Sequence, residues 1–106
     1  MRHDIQPDIF ARVSMYPADQ TGRPGTFGSE YWPCLVHFPE DGAKQSWDAR
    51  ILLFEHGAFS PGEEAELSIK FLNWALVRDR IHAGVQFEIR NPKPLGNGTV
   101  TRVLGE

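Results

Sequence analysis

Apolar and polar residues alternate along most of this chain. From Gly84 to Arg90, Val85, Phe87 and Ile89 take one set of positions and Gln86, Glu88 and Arg90 the other. A period of two is that of a half-buried β-strand, because successive side chains of an extended backbone point to opposite faces. The same pattern predicts four earlier strands. Asp8 to Tyr16 sets Ile9, Ala11, Val13 and Met15 against Phe10, Arg12, Ser14 and Tyr16, and Tyr31 to Phe38 puts Trp32, Cys34, Val36 and Phe38 on one face. Gln45 to Phe54 alternates Trp47, Ala49, Ile51 and Leu53 with Asp48, Arg50, Leu52 and Phe54, and Ala65 to Leu72 places Ala65, Leu67, Ile69 and Phe71 inside. The second half of Gln45 to Phe54 is apolar on both faces, which predicts cover on both sides. Thr99 to Gly105 predicts a last strand, paired with Gly84 to Arg90 in a closing hairpin.

Breakers punctuate the pattern. Pro17 ends the first strand and opens a loop through Gly28, a length that often marks mobility or function. Pro33 inside the second strand predicts an edge position or a bulge, since proline lacks the ladder donor. Pro39-Glu40-Asp41-Gly42 is a turn. Ser60-Pro61-Gly62-Glu63 has proline and glycine at the two central turn positions, which suit fixed negative φ and positive φ respectively. Asn91 to Gly98, with Pro92, Pro94, Gly96, Asn97 and Gly98, forms the turn region of the hairpin. Asn73 to His82 fits one or two helical turns or an extended connection, and its all-β surroundings favour an irregular or strand-like path. Six strands without a convincing helix predict a small barrel or sandwich, and a barrel leaves no exposed edges.

The chain has 106 residues, which suits one domain over 1–106 with a polar lead-in at 1–7. Lys plus Arg number 11 against 14 Asp plus Glu, and this mildly acidic balance argues against a general polyanion binder. Cys34 is alone, so no internal disulfide forms. No apolar leader begins the chain, and no stretch approaches the roughly 18 apolar residues of a membrane span. These features predict a cytoplasmic protein without a membrane partner.

Motifs for chemistry are sparse. His3, His37, His56 and His82 form no metal-binding spacing, and the expectation is surface histidines without a metal. Cys34 is expected to be a buried, inert thiol, with His37 on the opposite strand face. Glu64 and Glu66 share a face at a strand start, where a solvated turn is the simpler expectation. No nucleophile elbow occurs, and no catalytic residue, cofactor or small-molecule substrate is predicted. Trp74, Arg78 and Arg80, with Trp32 and Arg23, lie in loops or near loop ends. Tryptophan and arginine are enriched in interface hot spots, so these residues point either to a partner-binding surface or to packing over a barrel end.

Three segments occur in order: Thr21-Gly22-Arg23-Pro24-Gly25-Thr26-Phe27 followed by Tyr31-Trp32-Pro33; Ser60-Pro61-Gly62-Glu63; and Phe87-Glu88-Ile89-Arg90 with Gly96 to Leu104. Together they resemble the C-terminal β-barrel domain of translation elongation factor Tu and its relatives. That family has a Gly-Arg loop before a Tyr-x-Pro strand, a Pro-Gly-Asp turn, and a Phe-x-Ile-Arg strand paired with a Gly-x-Gly-Val-Val-x-x-Val-Leu ending. The resemblance spans Asp8 to Leu104 and implies an all-β, six-stranded antiparallel Greek-key β-barrel. The chain carries no Gly-x-x-x-x-Gly-Lys-Ser/Thr loop, so it resembles the barrel standing alone without its GTPase.

The family barrel helps hold the T-stem of aminoacyl-tRNA and meets its own GTPase domain. Asn91 stands where the family carries a glutamate that contacts a ribose hydroxyl. Tyr31-Trp32-Pro33-Cys34 replaces Tyr-Arg-Pro-Gln, and the two carboxylates of Glu40 and Asp41 would repel a phosphate. The expectation is therefore a non-enzymatic module that binds a protein partner through Arg23, Trp32, Trp74, Arg78, Arg80 and Asn91, with the link to translation that the resemblance implies. Two alternatives stay open. One is binding of tRNA or another structured RNA, with Arg12, Arg23, Arg78, Arg80, Lys93 and Arg102 gathered on one face. The other is an enzyme with a barrel-end pocket.

Overall fold

Six antiparallel strands close into a barrel in a computed structural model that describes residues 5–21, 30–41, 45–91 and 93–104. The strands are β1 (Ile9–Met15), β2 (Tyr31–His37), β3 (Trp47–Leu52), β4 (Glu64–Phe71), β5 (Gln86–Arg90) and β6 (Pro94–Val103). Their order around the ring is β1-β4-β3-β2-β5-β6, and β6 closes on β1. Short helical turns, α1 (Ala18–Thr21) and α2 (Trp74–Val77), occupy connections, with 3₁₀ turns at Pro39–Asp41 and Arg78–Arg80. No helix among the described residues is long and apolar enough to cross a membrane.

The period-two alternation sorts the side chains as expected. Ile9, Ala11, Val13, Met15, Trp32, Cys34, Val36, Phe38, Ala49, Ile51, Leu53, Leu67, Ile69, Phe71, Phe87 and Ile89 are all buried in one cluster. Each fully buried large aliphatic or aromatic side chain contributes about 1.5–3 kcal/mol. Trp47, Ala65, Val85 and Val103 pack against this cluster while half-buried. Leu52, on the outward parity of β3, is also buried, matching the two-sided apolar character of that strand's second half.

Pro33 occupies a local edge inside the closed ring. It pairs with Arg50 of β3, but β2 pairs with β5 only over Leu35 to His37. Its carbonyl accepts a hydrogen bond from Asn91 Nδ2 at 3.1 Å. The Ser60–Glu63 turn forms as its sequence predicts. Gly62 takes φ +81°, and the Glu63 amide donates to the Ser60 carbonyl at 3.0 Å.

Three expectations need correction. The closing hairpin turns earlier than the glycines suggested: β6 begins at Pro94, so Gly96, Asn97 and Gly98 are strand residues. Gly96 and Gly98 are glycine for space. A Cβ on Gly96 would lie 2.6 Å from the Ser14 carbonyl oxygen, and one on Gly98 would collide with the Phe87 ring. Asn73 to His82 is helical rather than strand-like, because α2 runs into a 3₁₀ turn that buries Val77 and leads to buried Ile81. His37 is buried rather than on the surface, with Nδ1 2.7 Å from the Gln45 carbonyl oxygen.

The lead-in ends in a clasp. Asp8 is buried, and its Oδ2 accepts the Phe71 amide at 2.8 Å while Oδ1 meets Lys70 Nζ at 3.3 Å. Its backbone bonds Ile69 and Leu104 as well. A buried carboxylate is tolerable because it is hydrogen-bonded and paired.

Candidate functional site

The connection from β4 to β5 crosses one end of the barrel. Trp74 and Val77 face inward there, and the Trp74 ring lies 6.0 Å from that of Phe71. Arg80 lays its guanidinium 5.0 Å from the centre of the Trp47 ring. What this packing leaves outside includes two large apolar side chains. Leu72 and Leu76 are 63% and 66% exposed, the exposed large hydrophobic residues among those described.

Leu72 also borders a groove of about 820 Å³ that runs over the outer face of β2, β3 and β4. Pro33, Leu35 and Asn91 flank one side, Lys70, Leu72, Ile5 and Gln6 the other, and Asp48 and Arg50 lie between them. The Arg50 guanidinium sits 5.1 Å from the Tyr31 ring centre. The groove is outside the barrel, whose interior is filled by the core cluster.

The expected contact residues divide between these places. Trp74, Arg78 and Arg80 come together on the β4–β5 connection, with Arg78 exposed and Arg80 half-buried on Trp47. Asn91 stands at the groove, tied to Pro33. Trp32 is a correction: it lies 7% exposed inside the barrel, because it has the inward parity of β2. Arg23 lies outside the described residues.

The described basic residues expected for an RNA face fall in three places, one of them the paired strands β1 and β6. Arg12 on β1 donates to Glu64 at 2.8 Å, and Arg102 on β6 sits over the Phe10 ring. Arg78 and Arg80 are on the β4–β5 connection, and Lys93 is in the β5–β6 turn.

Other titratable groups serve the fold. Burial pushes the Cys34 thiol up to about 12, with the Asp48 carboxylate adding to the rise, so the nucleophilic thiolate is suppressed. His56 Nε2 meets Glu63 Oε2 at 2.8 Å, and Glu63 Oε1 accepts the Ser60 amide at 3.0 Å. Glu66 accepts the Thr101 hydroxyl at 2.7 Å. Among the described residues no group of three or more His, Cys, Asp or Glu side chains converges as a metal site would require.

Leu72, Leu76 and Arg50 escaped the sequence search. A signal existed for the leucines: Leu72 has the outward parity of β4. Trp74, Val77 and Ile81 are spaced as one helical stripe, which leaves Leu76 off it. Arg50 had none, because its groove is assembled from three strands. Neither a scan against protein-family models nor a search of curated proteins finds a match to this chain.

Proposed function

We propose that this protein is a non-enzymatic binding module, a Greek-key barrel of the elongation factor Tu C-terminal type, that docks a protein partner through the barrel end carrying Leu72 and Leu76. The observation that carries the docking surface is the exposure of those two leucines beside Val77 and Ile81, which are buried. Apolar exposure of this kind marks an interaction surface when it adjoins aromatic and arginine side chains, as it does here with Trp74, Trp47 and Arg80. The Greek-key part draws support from the ring order. β2, β3 and β4 are consecutive neighbours, and β5 returns beside β2. The elongation-factor likeness and its link to cytoplasmic translation rest on the motif resemblance alone. An RNA role draws no support from the acidic charge balance, or from Arg12, Arg80 and Arg102, which are engaged by Glu64, Trp47 and Phe10. An enzymatic role in the barrel draws none from its filled interior.

The test is affinity capture from native extract, with and without nuclease, using the unaltered chain and Leu76→Asp. The expected result is a partner retained after nuclease treatment and lost with Leu76→Asp, at an unchanged melting temperature. Capture that disappears with nuclease, or direct salt-sensitive RNA binding without a protein partner, overturns the proposal.

A further inference from the structure

We propose that the groove over β2, β3 and β4 receives a short extended segment of the partner, bearing one carboxylate beside a bulky apolar side chain. This rests on the binding-module reading and names the chemistry of what the module binds. Arg50 lies on β3, which is paired through Pro33 on one side and Lys70 on the other, so its backbone is fixed. The Tyr31 ring steadies its guanidinium. Arg50 is exposed and forms no ion pair among the described residues, whereas the neighbouring cation, Lys70, is occupied by Asp8. A guanidinium held in place with its N–H edges available suits a carboxylate, which it can grip through two parallel bonds.

The remaining walls set the other features of the occupant. Leu72 and Leu35 present apolar surface to the groove. Asp48 lies two residues from Arg50 on the same face of β3 and forms no ion pair among the described residues, so it repels a second acid. One carboxylate is favoured over an acidic run. The distance from β2 to β4 is two interstrand spacings, about 10 Å, which an extended segment of about three residues crosses.

The test titrates the full chain, followed by amide NMR shifts, with two blocked pentapeptides, acetyl-Gly-Leu-Asp-Leu-Gly-amide and its Lys-for-Asp counterpart. The acidic peptide is expected to give saturable shifts centred on Arg50, Leu35 and Leu72. Arg50→Gln is expected to weaken it about tenfold. Arg50→Glu is expected to transfer the preference to the lysine peptide, a reversal that misfolding cannot produce. Equal shifts with both peptides, shifts centred elsewhere, or none at millimolar peptide overturn the proposal. If the peptides fail while capture still depends on Leu76, the groove chemistry falls and the module reading stands. If capture fails while the peptide binds at Arg50, the module reading falls at the leucine surface and the groove remains.

Discussion

Two connections of similar length leave the ends of β3 and β4, one joining adjacent strands and the other crossing the barrel end, and they use their side chains in opposite ways. The one between β3 and β4, through His56 and Glu63, turns inward. Phe59 is 1% exposed, with the His56 ring edge-on at 5.2 Å, and Gly62 donates to the Met15 carbonyl at 3.1 Å. Its histidine and glutamate, the kinds of residue that suggest catalysis, hold each other and the turn. The connection between β4 and β5 anchors itself with Val77 and Ile81 but leaves Leu72 and Leu76 in solvent. Residue types that suggest catalysis thus serve the packing of the first connection. On the second, two plain leucines remain in solvent.

The contrast breaks most directly on the two large apolar residues at its centre. Phe59→Ala should cost about 3–5 kcal/mol by urea unfolding, the range for truncating a buried aromatic, while Leu76→Ala should change stability by less than about 0.5 kcal/mol. Equal costs would show that the two connections are packed alike. Ile81→Ala should cost about 2–4 kcal/mol, which would separate the anchored part of the outer connection from its exposed part.

The core offers a titration that sharpens the same division between inside and outside. The Cys34 thiol keeps its proton in the folded barrel to about pH 12, whereas its ordinary value is 9.0. Above that ordinary value the unfolded chain binds fewer protons than the native one, so stability falls as pH rises from 9.0 towards about 12. Urea midpoints measured across that window should drop less steeply for Cys34→Ala than for the unaltered chain. Parallel slopes would show that the thiol ionises alike in both states.

A small effect is also expected at the histidine–glutamate contact of the inward connection. His56 and Glu63 are partly exposed, at 26% and 34% of their side chains, so solvent screening limits what their contact contributes. Glu63→Gln should cost under about 1 kcal/mol in the same unfolding assay, far less than Phe59→Ala. A cost matching Phe59→Ala would make the polar contacts, rather than the buried ring, the basis of that connection.

Much of the fold was legible because β-structure writes its burial locally. Ile9, Ala11, Val13 and Met15 announce an inward face whatever strand pairs with them, and the Pro61-Gly62 pair announces its turn. The site was harder to see. Trp32 carries the residue type of a hot spot, yet its strand parity sends it into the core. Trp74 and Arg80 were found, but as residues partly spent on Phe71 and Trp47. Arg50 gains its setting from Tyr31 on one neighbouring strand and Lys70 on the other, partners far from it in sequence.

By itself, the sequence determined the six strands, the side chains that face inward and the turn at Ser60 to Glu63, since period and turn chemistry act over a few residues. Tertiary structure decided what those rules leave open. Gly96 and Gly98 have the composition of a turn, but the approach of β1 and the Phe87 ring makes them strand residues without room for a side chain. Asn73 to His82 lies among strands yet coils, because Val77 and Ile81 find the barrel end beneath them. The groove with Arg50 exists only once β2, β3 and β4 lie side by side, and that register depends on contacts between distant parts of the chain.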